Sequence, residues 1–310
     1  MAISRSQLVK ELEPGLNALF GLEYNRYDNE HAEIFITETS DRAFEEEVML
    51  SGFASASAKS EGAPVVFDDA TEAYTSRYTH QTFALAFAIT EEAIEDNLYD
   101  RLAARYTRAL ARSMSQTKQQ IAADVLNNAF SGSGVLGGDG VTLCASNHPL
   151  ANGGTYRNIL STAADLSETS LEQSLIDIAA FVDERGLKIA LQGTKLILPK
   201  ELQFTAERIL RTPLSTTPGG SSAFAKNDIN AILNMGMVPQ GYRINHFLTD
   251  TDAFFIMTDA PNGLKHFVRS PIKTAIEGDF DTGNVRFKAR ERYSFGFSDA
   301  RGIFGSPGAA

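Results

Sequence analysis

The sequence predicts an α+β fold, and three runs carry the prediction. Phe83, Leu85, Phe87 and Ile89 alternate with Ala84, Ala86 and Ala88, the period of two that marks a strand. Ile94, Leu98, Leu102, Tyr106, Leu110, Met114, Ile121 and Val125 form a helical stripe through residues 90–130, which contain neither proline nor glycine. Residues 272–277 and 285–297 are extended patterns flanking the turn formers of 278–284. Composition narrows the class further. A chain of 310 residues that is 43% hydrophobic and 22% charged is not disordered. A formal charge of −11 excludes a globally basic nucleic-acid binder, though not a local basic face. One cysteine permits no intramolecular disulfide and no cysteine-based structural zinc site. No run approaches the ~20 apolar residues of a membrane span, and residues 1–10 have no signal-peptide apolar core.

In chain order, Leu8, Leu12, Leu16 and Leu19 predict a helix over residues 4–20, kinked or split at Pro14-Gly15. Residues 21–40 offer one short strand, Ile34-Phe35-Ile36, and too few apolar residues for a core of their own, so this arm packs onto something else. Residues 44–53 read as a strand opening with Glu45-Glu46-Glu47. Residues 54–64 are a small, polar, flexible tip. Val65-Val66-Phe67 resumes the extended pattern, and residues 74–89 read as one long strand. Arms of about 15 residues reach about 50 Å, against a radius of about 25 Å for a compact chain of this size. Such a hairpin wraps the body or projects beyond it. Thr90 caps the long helix, and Glu91, Glu92, Glu95 and Asp96 complement its dipole. Unbroken, that helix runs about 60 Å, a length suited to an elongated molecule that tiles with its copies. Residues 131–160 are glycine- and turn-rich. A helix is expected over 165–186, with a Thr169–Glu172 capping box and a Gly186 stop. A buried strand follows at 195–198, then a helix from Pro199 to about Arg211, a mobile loop at 212–224, and short strands over 227–258. Strands at 264–269, 272–277 and 285–297 complete the chain.

Several motifs invite functional readings that their context denies. Gly132-Ser133-Gly134-Val135-Leu136-Gly137 matches the dinucleotide fingerprint in letters, but it follows a helix and leads into more loop. Asp279-Phe280-Asp281-Thr282-Gly283 is one residue short of a calcium loop and has no flanking helices. Cys144 and His148 share a face only in a helix, which Pro149 opposes. His31, His80, His148, His246 and His266 lack metal-ligand spacing. No catalytic residue, metal site or cofactor site follows. Arg101, Arg105, Arg108 and Arg112 step along the long helix as one basic stripe. The stripe reads either as a solvated face or as a surface meeting acidic groups of a neighbouring subunit or packaged nucleic acid.

The order of elements resembles the major capsid proteins of tailed phages, with the Hong Kong 97 phage fold, and more narrowly the Mu-like major head subunit family. The residues that carry the resemblance are Ser146-Asn147-His148-Pro149-Leu150, Gly153-Gly154-Thr155-Tyr156-Arg157-Asn158, and Gly193-Thr194-Lys195-Leu196-Ile197-Leu198-Pro199 with the helix of 201–211 behind it. The likeness spans nearly the whole chain through order and spacing. It implies an N-terminal arm at 1–43, an extended loop at 44–89, a peripheral domain with a spine helix at 90–165, an axial domain at 166–258, and a return to the peripheral domain with the C-terminal tail at 259–310. It implies a virion shell of pentamers and hexamers, made in the host cytoplasm, that encloses double-stranded DNA without reading its sequence. A scaffolding protein, a head protease and a portal are the implied partners. About 43 residues precede the loop, fewer than in relatives with a fused scaffolding segment, so the resemblance implies separate scaffolding or a trimmed chain. Assembly contacts are expected at Ala54, Ser57, Lys59 and Glu61 of the loop tip and at Arg101, Arg105, Arg108 and Arg112. An encapsulin-like compartment with a protein cargo and a soluble enzyme are the alternative readings.

Overall fold

A computed structural model of the chain describes residues 5–62, 64–90, 92, 99–132, 134–214, 229–279 and 283–309, without the side chains of 5–14 and 99–102. Its first layer pairs a sheet with two helices. The sheet is ordered β1 (Ile36–Thr39), β10 (Leu264–Gly278), β11 (Val285–Phe297), β4 (Gln81–Ile89). β1 runs parallel to β10, and the other neighbours are antiparallel. Helices α1 (Arg5–Tyr24) and α2 (Tyr99–Asn127) cover one face. Leu16 and Phe20 of α1 pack with Leu110, Ala111 and Met114 of α2 on Phe287 and Ala289 of β11.

The break expected at Pro14-Gly15 does not divide α1. Proline inside a helix costs about 3 kcal/mol. Burial of Leu16 and Phe20 contributes roughly 1.5–3 kcal/mol each and outweighs it. The strand expected at Ile34-Phe35-Ile36 begins only at Ile36. A 3₁₀ turn at Glu30–Glu33 delivers Ile34 and Phe35 to the core instead, the His31 carbonyl accepting both of their amides at 3.1 and 2.9 Å.

β2 (Phe44–Leu50) and β3 (Glu72–Thr79) form a separate two-stranded ribbon. Residues 74–89 are therefore not one strand but two, β3 and β4, which serve different sheets. His80 is the corner. It is buried between Ser294 Oγ at 3.0 Å and Ser40 Oγ at 2.9 Å, side-chain bonds that a continuous ladder would not allow both arms to keep.

α2 is unbroken for 29 residues, about 43 Å; the cap at Thr90 and the first acidic turn fall largely outside the described residues. Its buried side is rotated from the expected stripe. Ala103, Thr107, Leu110, Ala111 and Met114 face the sheet, while Tyr106 is 47% exposed. Small side chains let the helix sit close to a sheet already filled by aromatic rings.

The second layer is a sheet ordered β12 (Ile303–Ser306), β9 (Phe254–Thr258), β7 (Gly193–Leu198), β8 (Tyr242–Ile244). α3 (Glu168–Ala179) and α4 (Gln203–Arg211) pack on it through Leu171, Leu175, Ile178, Ala206 and Ile209. The C-terminal strand thus returns to the sheet built by residues 193–258. α3 is shorter than the expected helix of 165–186. Its box is Ser167 with Ser170 rather than Thr169 with Glu172. Beyond it, Asp183 Oδ1 accepts the amides of Arg185 at 2.9 Å and Leu187 at 2.8 Å, a turn that competes with helix. The two strands expected at 264–269 and 272–277 are one, β10, irregular around Ser270. A short helix, α5 (Ala231–Asn234), interrupts the strands expected over 227–258. Two short strands, β5 (His148–Pro149) and β6 (Thr155–Tyr156), pair in the turn-rich segment. Most of the loop expected at 212–224 and the centre of the turn expected at 278–284 lie outside the described residues.

Candidate functional site

Between β2 and β3 the chain leaves regular structure. Ser51 and Thr71 close the ribbon, the Ser51 amide donating to the Thr71 carbonyl at 2.9 Å and the Thr71 amide to Ser51 Oγ at 3.0 Å. Farther out, Asp68 Oδ2 accepts the Ala54 amide at 2.7 Å. That bond, with Arg185 nearby, holds the Asp68 carboxyl below its ordinary pKa. Ala54, Ser57, Lys59 and Glu61 are all exposed, as expected of the tip. The apolar residues beside them are exposed as well: Phe53 at 60%, Val66 at 76% and Phe67 at 94%.

The root of this loop is fixed. Glu47 of β2 reaches Ser298 and Lys265, and Lys265 also meets Glu38 at 3.1 Å. Burial opposes the Lys265 charge, but Glu47 and Glu38 overcome it and raise its pKa. Tyr78 Oη lies 2.5 Å from Ser298 Oγ, Tyr74 Oη donates to the Pro149 carbonyl at 3.1 Å, and Arg185 donates to the Asp69 carbonyl at 2.5 Å. A firm base therefore carries a tip whose apolar side chains lie uncovered among the described residues.

Arg105, Arg108 and Arg112 are exposed along α2. Arg112 lies over the Tyr27 ring at 5.8 Å; among the described residues Arg105 and Arg108 make no ion pair. Arg101 lies in the helix, with its side chain outside the described residues. No bond among these residues joins the loop tip to the helix stripe.

A second basic row escaped the sequence reading. On β11, Arg286, Lys288, Arg290 and Arg292 alternate with Phe287, Ala289, Glu291 and Tyr293. The second set is buried toward the helices, so the first set shares the opposite face. The alternation is legible in the sequence, which marks the run as a strand without saying which of its faces the helices cover.

The decoys resolve into packing. Gly137 and Gly138 are crowded, since a Cβ would come within 2.8 Å of the Phe297 ring and 2.7 Å of the Thr75 backbone. Burial pushes the Cys144 thiol pKa up, away from nucleophile chemistry. His148 pairs not with Cys144 but with Asp139 Oδ2, at 2.7 Å. A cleft of about 500 Å³ beside β2 is lined by Met49, Ser51, Glu184, Asn262, Asp299 and Arg301. Its arginine is committed to structure. Arg301 donates to Glu184 Oε1 and to the Val182 carbonyl, each at 2.8 Å, and its guanidinium lies 4.3 Å from the Tyr156 ring centroid. Among the described residues no cluster of histidine, cysteine and carboxylates could hold a metal ion, and no helix is long and apolar enough to cross a membrane.

The arrangement can make contacts, and its likeness to known proteins agrees. The fold is similar to the capsid of Myoviridae Phage XM1, at 9% identity and a TM-score of 0.53, covering 89% of each chain. It is similar to the SrpI encapsulin of Synechococcus elongatus PCC 7942, at 8% identity and 0.52, covering 90% of this chain and 86% of that one. It is also similar to a chain of Mycobacterium phage Che8, at 16% identity and 0.50, covering 89% and 90%. No curated protein sequence matches the chain. These likenesses show the Hong Kong 97-like capsid fold, and the family model for phage capsid protein matches residues 72–305. The chain belongs to the phage capsid protein family: it is a shell subunit of the virion.

Proposed function

We propose that this subunit self-assembles, through pentamers and hexamers, into the icosahedral head shell of a bacteriophage. The shell contains double-stranded DNA without reading its sequence, and the subunit performs no catalysis. In this reading residues 1–43 are the arm, 44–89 the extended loop, 90–165 and 259–310 the peripheral part, whose last strand β12 joins the axial sheet, and 166–258 the axial part. A scaffolding protein, a head protease and a portal are its partners during assembly.

The observation that carries the proposal is the loop of residues 51–71. It is anchored at Glu47, Tyr74 and Tyr78, yet it holds Phe53, Val65, Val66 and Phe67 in water. An apolar run on a tethered arm gains burial by lying on another copy. Its alanine and serine tip loses little rotamer entropy on being ordered there. Loop-to-body contacts are heterologous, and heterologous contacts close into rings. The net charge of −11 suits a wall that contains a polyanion without adhering to it.

The test compares the full chain with a variant lacking residues 54–64, by sedimentation and negative-stain microscopy. The full chain is expected to give shells. The deletion is expected to leave soluble subunits that form capsomers poorly. Normal shells from the deleted chain would refute the role given to the loop.

A further inference from the structure

The first sheet ends in two unlike edges. β1 is four residues long, and its Glu38 meets Lys265 at 3.1 Å. A short, charged strand protects a sheet edge from pairing with another chain. β4 has no such protection. It is nine residues long, carries no charge, proline or glycine, and keeps register with β11 from Gln81 to Ile89 without a bulge. Among the described residues no strand pairs with its outer edge.

The side chains of β4 sort by face. The Phe83 ring stacks on Tyr293 at 4.7 Å and the Phe87 ring lies 5.5 Å from Phe287, so the odd-numbered residues face the helices. Leu85 stands between them, yet it is 45% exposed. Tyr106 of α2, whose ring is 5.8 Å from that of Phe87, is uncovered on the same side. Thr82, Ala84, Ala86 and Ala88 are exposed on the other face. The order of residues is symmetric: Phe83-Ala84-Leu85-Ala86-Phe87 reads alike in both directions about Leu85. Two such strands, antiparallel and in register at Leu85, set Phe83 against Phe87, Ala84 against Ala86 and Thr82 against Ala88. Each strand then offers its partner the pattern it receives, which is the isologous contact of a two-fold axis.

We propose that β4 pairs edge to edge, antiparallel, with β4 of a second copy of this chain, about a two-fold axis between their Leu85 residues. The inference rests on the shell-forming role proposed above. It adds a contact that rings do not supply, because rings close a surface only when they are joined to one another. The axis stands normal to the sheet. The two sheets therefore run on as one, and both copies keep their helices on the same side, as two tiles of one wall must. The Leu85 side chains meet at the axis beside the Tyr106 rings and leave water. Charge does not oppose the approach. β4 is neutral, and the two β11 strands with their cations lie three strand spacings apart, about 14 Å. Charges more than about 10 Å apart are screened at 0.1 M salt.

Cysteine cross-linking in shells of the full chain tests the pairing. Residues directly opposite in an antiparallel pair have Cα atoms about 4.5–5.5 Å apart, within the ~4.4–6.8 Å that a disulfide bridges. L85C is therefore expected to join to itself, and mild oxidation of its shells should turn at least half of the chains into disulfide dimers on non-reducing gels. T82C is the control. Its two copies lie about 20 Å apart along the strands and should give less than a tenth as much dimer. The wild-type chain, whose one cysteine, Cys144, is buried, sets the background. T82C/A88C, whose members stand opposite one another between copies, replaces L85C if circular dichroism shows that variant unfolded. L85K places two like charges together at the axis and is expected to lower shell yield at least tenfold while rings still form. Three results overturn the proposal: shells of the folded cysteine variant without dimers, T82C dimers as abundant as those of L85C, or normal shell yield from L85K. Failure of the wild-type chain to form shells is a separate outcome and strikes the shell-forming role itself.

Discussion

Mild acid should destabilise this subunit through two histidines buried in its core. His31 leaves the 3₁₀ turn, His266 sits on β10, and their rings meet edge to face at 5.3 Å. Phe295 stacks on His266 at 4.2 Å and meets His31 edge-on at 5.6 Å. Burial first, and the nearby Lys118 charge second, lower the pKa from 6.5 to about 4 for His31 and to about 3 for His266. Gln119 accepts the His31 amide, Thr37 Oγ1 lies 3.2 Å from His266 Nδ1, and the Tyr293 ring meets His266 edge-on at 5.8 Å. In the unfolded chain both imidazoles titrate near 6.5. Below that pH the unfolded state takes up protons that the folded core refuses, so stability falls as pH falls, down to the folded values. At pH 5 each histidine is then worth RT ln(1 + 10^1.5), about 2 kcal/mol, and the pair about 4 kcal/mol. Against a margin of about 5–15 kcal/mol, that loss is readily measured. Urea unfolding of the full chain at pH 7.5 and 5.0 gives the wild-type loss. The same measurement on His31→Gln/His266→Gln, which cannot titrate at these sites, should give a loss smaller by about 4 kcal/mol, whatever its stability at pH 7.5. Equal losses in the two proteins would show that the pair does not govern the acid limb.

Arg301→Met leaves Glu184 and the largely buried Asp299 without their cation, and should cost about 3–5 kcal/mol at neutral pH. Burial already raises the Asp299 pKa against the pull of Arg301, so the urea deficit should shrink toward pH 5 as the stranded Asp299 carboxyl takes up a proton; a deficit independent of pH refutes the account. Arg105→Glu/Arg108→Glu changes an exposed face, so subunit stability should stay within about 0.5 kcal/mol while particle yield in sedimentation falls. Unchanged yield returns that stripe to a solvated helix face.

What the sequence disclosed was whatever repeats locally. Alternation at Phe83 to Ile89 and the apolar spacing along residues 102–125 located β4 and α2 because periodicity reports burial directly. Boundaries set by one side chain were hidden. His80 divides the expected long strand through bonds to Ser40 and Ser294, which lie 40 and 214 residues away. Ser167 and Ser170 form the α3 cap two residues before Thr169 and Glu172, although only the later pair carries the glutamate that the sequence pattern asks for. The loop tip was legible as composition, since small polar residues seldom form a core. Its anchors were not, because Lys265, Ser298 and Arg185 reach it from 116 or more positions away. The basic row of β11 lay in plain view as Arg-Phe-Lys-Ala-Arg-Glu-Arg. It lacked only knowledge of which face the helices would cover.

That covered face decides what the charges can do. α2 turns Ala103, Leu110, Ala111 and Met114 to the sheet and its arginines outward, while β11 turns Phe287 and Ala289 to the helices and its cations to the far side. The first layer is thus basic on both outer surfaces within a chain whose total charge is −11. The compensating acid is concentrated in part on the loop, away from both. A patch carrying acid and base side by side would be self-complementary and would favour a closed two-fold dimer. With acid on a projecting arm and base on the body, an arm laid on the next subunit would leave that arm's own body open. Such a contact would be directional and would repeat until a ring closed, so the separation of charge between loop and layer favours rings over pairs.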